Sequence, residues 1–423
     1  MNVGVISLGC AKNQVDTENM LGLLKACGYC FVSDPSIADI LIVNTCGFIL
    51  PAKEESINSI LEMAQYKKHG RCKTLIATGC LVERYREELI EAIPEVDIFL
   101  GVHEYDRLPA LLVSTLGKKA ERMLLTPPYR AYLRIGDGCN NRCTYCAIPL
   151  IRGALSSVPM EKLVDEAKAL ADGGVTELTL IAQDTSGYGK DIYGKPSLIL
   201  LLKELDKIDS LRWIRVLYTY PDTVTPELLD TLCSGKRLVP YLDMPLQHIN
   251  DDILRRMNRR GDKRLICSVL DYLKKNYPQV TLRTTMMVGF PNETQEQFCE
   301  LMQFLRDYPF DRVGAFAYSS EEGTAACQMD GQIDEQIKKQ RLDELMLEQQ
   351  SISRAQNLMH IGQERLMLIE DIRDGKTFGR TMREAPDADG LVEIPTRIFH
   401  AIGDYIPIRL TWGDCYDMRG ESI

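Results

Sequence analysis

Long apolar runs, histidine and an excess of positive charge are all scarce in this sequence. No apolar stretch reaches the roughly 18 residues that a bilayer span needs. The opening MNVGVISLGC lacks the basic start and long apolar core of a secretory leader. A cytoplasmic chain with no membrane partner is therefore expected. The five histidines, His69, His103, His248, His360 and His400, are scattered. Only His248, in MPLQHIN at a strand end, falls near a candidate active-site edge, in a supporting role. Sixty acidic residues against 50 basic ones give a net charge of −10. That balance argues against holding nucleic acid by bulk electrostatics, although it leaves room for a local basic groove. No internal repeat or low-complexity segment is present, so solenoid and fibrous architectures are excluded.

What is abundant is cysteine, 14 residues in 423. In a reducing compartment such thiols point to metal binding or catalysis before disulfides. The remaining composition, 45% hydrophobic and 26% charged, is that of a globular chain of two or three domains.

Apolar periodicity sets the organisation. VGVISL (3–8), ILIVN (40–44), TLIAT (74–78) and DIFLG (97–101) read as strands. Helical spacing over 14–27, 52–67 and 82–92 lies between them, with Gly28 and Gly70 as stops. This alternation predicts an amino-terminal parallel-sheet α/β domain over 1–117. GKKAERMLLTPPY (117–129) breaks the pattern, so a linker is expected over 118–130. Six further strands follow, at 131–135, 177–182, 213–219, 241–247, 282–290 and 312–319. They suit an incomplete β/α, TIM-like barrel over 131–332. Residues 333–360 contain no Gly or Pro and predict one connecting helix. Short strand-like runs separated by DG, PDADG and GD turns predict a small antiparallel β-barrel over 361–423.

Two cysteine patterns carry chemistry. Cys139, Cys143 and Cys146, in GDGCNNRCTYCAIP, follow the first barrel strand. Three thiolates in one short loop can hold three corners of a four-iron cubane and leave the fourth iron open for catalysis. A zinc knuckle would need a second Cys or His pair nearby, and none is present. Cys10, Cys46 and Cys80, in SLGCAKN, VNTCGF and ATGC, each end a strand of the first domain. Such strand ends share the carboxyl edge of a parallel sheet, where ligands bind, so these thiols can converge on a second cluster. The other eight cysteines, including the CxxC of Cys27 and Cys30, show no such pattern and read as structural.

The CxxxCxxC motif, with Tyr145 before its last cysteine, resembles the radical S-adenosylmethionine enzymes. The resemblance implies that S-adenosylmethionine chelates the open iron and is cleaved to a 5′-deoxyadenosyl radical. Taken with SLGCAKNQVDTENM and the TRAM-like carboxyl-terminal barrel, nearly the whole chain resembles the radical S-adenosylmethionine methylthiotransferase family. The resemblance implies two 4Fe-4S clusters, with Cys139, Cys143 and Cys146 holding the radical-generating one and Cys10, Cys46 and Cys80 the sulfur-donating one. It also implies two S-adenosylmethionine molecules and an electron donor such as flavodoxin or ferredoxin.

CAIPLIRG, IAQDTSGYGKD, MPLQHIND and GRTMREAPDADG resemble the branch that modifies an aspartate of small-subunit ribosomal protein twelve. The branch that modifies an adenosine of transfer RNA usually has Gln-Asn where Gln183 and Asp184 stand. Residues 361–423 hold eight basic and twelve acidic residues, which favours a basic protein partner over transfer RNA. The alternatives are the transfer RNA substrate and a non-catalytic iron–sulfur sensor. Around the cofactor, Tyr145 packs either against S-adenosylmethionine or as a plug beneath the loop. Gln183, Arg215 and Gly289 stand at strand ends as further cofactor contacts. The competing readings are an internal ion pair for Arg215 and a simple bend for Gly289. Asp184 and Asp191 are candidates to orient the substrate, or else solvated loop carboxylates.

Overall fold

The computed structural model describes residues 1–112, 120–396 and 400–423. The expected boundary at 117–118 therefore lies outside the described residues. The amino-terminal strands are β1 (Asn2–Ser7), β2 (Cys30–Phe31), β3 (Ile40–Thr45), β4 (Thr74–Gly79) and β5 (Ile98–Leu100). They form one parallel sheet in the order β2-β1-β3-β4-β5. The side-chain period of two splits each strand between two cores. Leu41, Val43, Leu75 and Ala77 face one layer, Ile40, Ile42 and Ile76 the other. That double burial explains why β3 is apolar nearly without interruption. The connecting helices are α1 (Ala11–Ala26), α2 (Leu50–His69) and α3 (Cys80–Ala92).

Helix α1 departs from ordinary amphipathicity, because its polar residues Lys12, Asn13, Asp16, Thr17 and Glu18 are buried. The second domain packs onto them. It contains β6 (Arg130–Arg134), a small hairpin of β7 (Gly136–Asp137) and β8 (Ser156–Ser157), then β9 (Glu177–Ile181), β10 (Trp213–Val216), β11 (Tyr241–Asp243), β12 (Thr281–Val288) and β13 (Arg312–Ala317). Two three-stranded parallel sheets, β10-β9-β6 and β11-β12-β13, meet at a bridge between Ile214 and Leu238. The backbone N–H of Thr219 donates to the Asp243 carbonyl (2.9 Å) and strengthens this junction. The result is an open six-stranded arc with apolar cores outside it, the expected incomplete barrel.

The long helix Glu335–Leu358 lies along the arc with a mostly polar buried stripe at helical spacing, Lys338, Arg341, Leu345, Gln349, Ser353 and Asn357. Gln349 and Ser353 donate to the carbonyls of Phe310 and Asp311 (both 3.0 Å), which ties that stripe to the arc.

The last domain closes β14 (Glu364–Arg373), β15 (Lys376–Arg380), β16 (Val392–Pro395), β17 (Tyr405–Gly413) and β18 (Met418–Ser422) into a barrel. Its pairs are antiparallel except β16 and β18, which run parallel. This barrel seats on the inner face of the arc. Arg380 reaches Glu177 (2.5 Å), Asp387 accepts from Arg130 (2.7 Å) and from the Tyr132 hydroxyl (2.7 Å), and Tyr405 packs edge-on against Trp213 at 4.8 Å between centroids. Part of the acidic excess of the last segment therefore docks this domain onto barrel arginines. Among the described residues, no helix is long and apolar enough to cross a membrane.

Candidate active site

The first cysteine triad occupies the loop after β7. Its backbone is tied down at three points: the N–H of Cys139 donates to the Gly153 carbonyl (3.1 Å), Thr144 to Met257 (3.0 Å) and Cys146 to Cys143 (3.0 Å). Asn141 adds a side-chain anchor, its Nδ2 donating to Asp184 Oδ2 (2.9 Å). Asp184 is buried, so it braces the cysteine loop and is not the solvated carboxylate that was one reading of it. Asp191 is exposed, and it accepts from the Ser157 N–H (2.7 Å). Burial, with smaller contributions from Cys143 and Cys139, pushes the Cys146 thiol up to about 12, and burial, with Asp184 and Cys143, pushes Cys139 up to about 11. These thiols thus lie within electrostatic reach of one another.

The second triad is built from three adjacent strands. Cys10 lies between β1 and α1, Cys46 follows β3, and Cys80 begins α3 directly after β4. Gly79 makes the last turn possible. Its φ is +97°, and a Cβ there would lie 2.3 Å from Asn44 Oδ1. Burial pushes the Cys80 thiol up to about 12 against the opposing pull of Arg152, and Cys10 and Cys46 raise it further.

The two triads share one interface. Cys80 packs against Ala147 and Ile151, and Ala147 directly follows Cys146 in the chain. Arg152 lies just beyond the single-turn helix Ile148–Ile151 and is 3% exposed. Its Nη2 donates to Asp16 Oδ2 and Asn13 Oδ1 (both 2.7 Å) and stands 3.7 Å from Cys80 Sγ. Its Nη1 donates to Asp137 Oδ2 (2.8 Å). Beside this interface, a cavity of about 550 Å³ lies between all three domains, lined among others by Cys10, Gln14, Tyr132, Tyr218 and Asp387.

Among the described residues no three Cys, His or carboxylate side chains converge closely enough to share a single metal ion. Two rings of separated soft thiols instead suit cluster ligation, in which each thiolate takes its own iron. Buried thiols pushed this far up ionise only beside a strong cationic partner, which iron provides.

The remaining expected contacts divide. Tyr145 packs with Met257, Met287 and Phe290, and its hydroxyl accepts from Arg259 Nη1 (3.0 Å). Arg259 Nη1 also stands 3.9 Å from Cys143 Sγ. Gln183 donates to Asp137 Oδ1 (2.8 Å) and keeps its Oε1 buried without a partner. Both residues adjoin the first triad or its supports. Arg215 does not. Fully buried in the arc, it lies 3.6 Å from Glu177, donates to the Met382 carbonyl (3.0 Å) and stacks on Tyr241, the contacts of an internal ion pair. Gly289 (φ +71°) turns against the long helix, where a Cβ would lie 2.3 Å from Lys338 Cγ. His248 is fully buried between Glu293 (3.2 Å) and the Asn250 N–H (3.0 Å). Arg152, Asp16 and Asp137 went unread in the sequence, since nothing in their local spacing reports partners that lie 15 residues away for Arg152 and Asp137 and 136 for Arg152 and Asp16.

Comparison with known proteins follows the same three-part division. Residues 2–101 match the uncharacterized protein family UPF0004, 133–305 the Radical SAM superfamily and 361–423 the TRAM domain. The ribosomal protein uS12 methylthiotransferase RimO of Clostridium botulinum (strain Eklund 17B) is 46% identical, over 99% of this chain and 97% of that protein. RimO of Thermoanaerobacter sp. (strain X514) is also 46% identical, over 99% of each. The chain belongs to the RimO family. It is a radical S-adenosylmethionine methylthiotransferase, and its superfamily implies a 4Fe-4S cluster and S-adenosylmethionine. At the level of fold alone, it resembles the radical S-adenosylmethionine methyltransferase TsrM of Kitasatospora setae (TM-score 0.57, 12% identity, 77% of this chain and 76% of that one). The cobalamin-dependent radical enzyme OxsB is similar (TM-score 0.52, 11% identity, 82% and 56%).

Proposed function

We propose that this chain adds a methylthio group to the β-carbon of an aspartate in ribosomal protein uS12, the substrate that its RimO relatives are named for. One observation carries the two-centre reading: Cys80 packs against Ala147, and Arg152 spans from Cys80 to Asp137. A radical source and a sulfur source must act on one carbon in sequence, so they must face each other across a short gap. Cys139, Cys143 and Cys146 hold one 4Fe-4S cluster, and Cys10, Cys46 and Cys80 hold a second. When bound, the clusters supply one-electron cleavage of the S-adenosylmethionine sulfonium bond and a sulfur for transfer. Two S-adenosylmethionine molecules serve one turnover, one as radical source and one as methyl donor, with a flavodoxin or ferredoxin as reductant.

The chain's own groups do the positioning. Tyr145, braced by Arg259, and Gln183, with its unpartnered Oε1, border the first triad and contact S-adenosylmethionine. Arg152 fixes the separation of the two loops. The cavity beside Cys10 admits the substrate segment, and its walls come from three domains, which limits water at the reacting carbon.

Anaerobic reconstitution with iron and sulfide, followed by S-adenosylmethionine and reductant, tests this reading. About eight irons per chain and a methylthio mass gain on one aspartate of uS12 are expected. Only about four irons, or modification of transfer RNA supplied in parallel and not of uS12, would overturn it.

A further inference from the structure

Lys12 stands where α1 meets the arc, and no carboxylate among the described residues accounts for its charge. It is the second residue of α1, two positions after Cys10, and is 9% exposed. A lysine whose side chain is this largely buried ordinarily keeps a carboxylate beside its ammonium. Neighbouring cations do: Arg134 and Arg152 share Asp16, Arg122 has Glu18, and Arg130 has Asp387. Lys12 forms no ion pair and donates no hydrogen bond among the described residues. Its Nζ instead stands 3.6 Å from the centroid of the Tyr218 ring.

That platform is itself unusual. Tyr218 has φ +62°, a left-handed conformation that an aromatic residue adopts only when its surroundings impose it. Here they do. Its N–H donates to Asp243 Oδ2 (2.9 Å), and its carbonyl accepts from the Thr185 N–H (3.0 Å). Strain at the end of β10 thus holds an aromatic face under an unpaired cation. Cys10 and Ala11, the two residues before Lys12, and Tyr218, whose ring carries its ammonium, line the three-domain cavity.

We propose that Lys12 is a substrate-binding residue whose missing counter-charge is the side-chain carboxylate of the acidic peptide residue that enters this cavity. The proposal rests on the aspartate reading above and gives it a mechanism of selection. The carboxyl carbon of an aspartate is bonded directly to its β-carbon, so an ion pair at Lys12 fixes the reacting carbon between the Cys10 strand end and the mouth of the arc. An asparagine in its place would leave the ammonium unneutralised, and discrimination follows from that.

The test uses reconstituted full-length enzyme and fluorescent peptides spanning the target loop of uS12, with aspartate or asparagine at the modified position. Binding is read by anisotropy, together with iron content and modification. The wild type is expected to bind the aspartate peptide about 10- to 100-fold more tightly. Lys12→Met, which keeps length and removes charge, is expected to abolish that preference at unchanged iron content, and Lys12→Arg to retain most of it. An iron-replete Lys12→Met enzyme that still prefers aspartate would overturn the assignment, as would a wild type indifferent to the two peptides. If the wild type modifies transfer RNA and no peptide aspartate, the substrate reading itself fails, an outcome distinct from either of these.

Discussion

Arg152 Nη2 lies 2.7 Å from Asp16 Oδ2, so a guanidinium from the loop beyond the first cysteine triad is buried against the helix that begins beside Cys10. Neither group could sit there alone, since an unpaired charge in that environment carries a large desolvation penalty. The pair therefore sets the spacing of the two thiol rings as well as joining two domains. Asp16 also accepts from Arg134, and Asp137 from Gln183, so the bridge is a network and not a lone contact.

Replacing Arg152 with Met leaves the buried Asp16 and the half-buried Asp137 short of one partner each. Breaking a buried pair in this way costs roughly 3 to 5 kcal/mol, and the low end is expected because Arg134 remains. Hydrogen–deuterium exchange locates the damage. Amides of α1 and of residues 148–153 are expected to exchange faster, with those of the carboxyl-terminal barrel unchanged. A uniform change across the chain would contradict a local bridge. A double-mutant cycle with Asp16→Asn should give a coupling of about 0.5 to 3 kcal/mol.

The docking of the last domain has a pH signature. Burial pushes the Glu177 carboxyl up, but Arg380 and then Arg215 outweigh it, and the group stays below the ordinary glutamate range. A carboxyl lower in the folded than in the unfolded state stabilises above the unfolded pKa of about 4.3 and loses that contribution as pH falls through the folded value. Acidification below about pH 4 is therefore expected to loosen the barrel contact, read as exposure of Trp213 by fluorescence. Glu177→Gln should be less stable at pH 7, because Arg380 and Arg215 lose their counter-charge. It should also show a shallower acid branch. An acid branch as steep as the wild type's would assign the effect to other carboxylates.

Gly79 tests whether backbone geometry at a strand end controls the second triad. Alanine there must adopt φ +97° and would meet Asn44 Oδ1 at 2.3 Å and the Thr45 carbonyl at 2.6 Å. The left-handed conformation alone costs about 1 to 2 kcal/mol, and the backbone must shift as well. Gly79→Ala is expected to bind about four irons in place of about eight and to keep forming 5′-deoxyadenosine, because the first triad is untouched. Full iron content in this variant would show that the turn tolerates a side chain.

Strands and chemistry were legible in the sequence to different depths. Short apolar runs such as ILIVN, alternating with helical stretches, located the parallel sheet, and three strand-end cysteines pointed to one edge, because both signals are local. β18 was missed since MRGES has no apolar alternation, and β2 since two residues carry no period. The polar burial of α1 was not readable at all. Asp16 and Glu18 look like a solvated face until Arg134 and Arg152 arrive from a second domain and Arg122 from the linker before it. Arg215 shows the converse: a charged residue inside a strand suggests a ligand contact, but its partner Glu177 is a strand neighbour that one-dimensional spacing does not reveal. Lys12 is legible only as an absence of partners, which requires the complete surroundings.

The two triads should be separable by substitution. Cys46 follows β3 and takes no part in the loop held by Asn141 and Thr144, so Cys46→Ala is expected to remove one cluster while the fold of the arc persists. Iron should fall by about half, with 5′-deoxyadenosine still formed and no methylthio group delivered. Cys143→Ala should also halve the iron but abolish 5′-deoxyadenosine, because the proposed function assigns the open iron that receives S-adenosylmethionine to that ring. Iron quantification, low-temperature electron paramagnetic resonance and product analysis on both variants distinguish the assignments. If Cys46→Ala also abolished 5′-deoxyadenosine with circular dichroism unchanged, the rings would not act independently. The division of roles between the sheet edge and the barrel loop would then have to be abandoned.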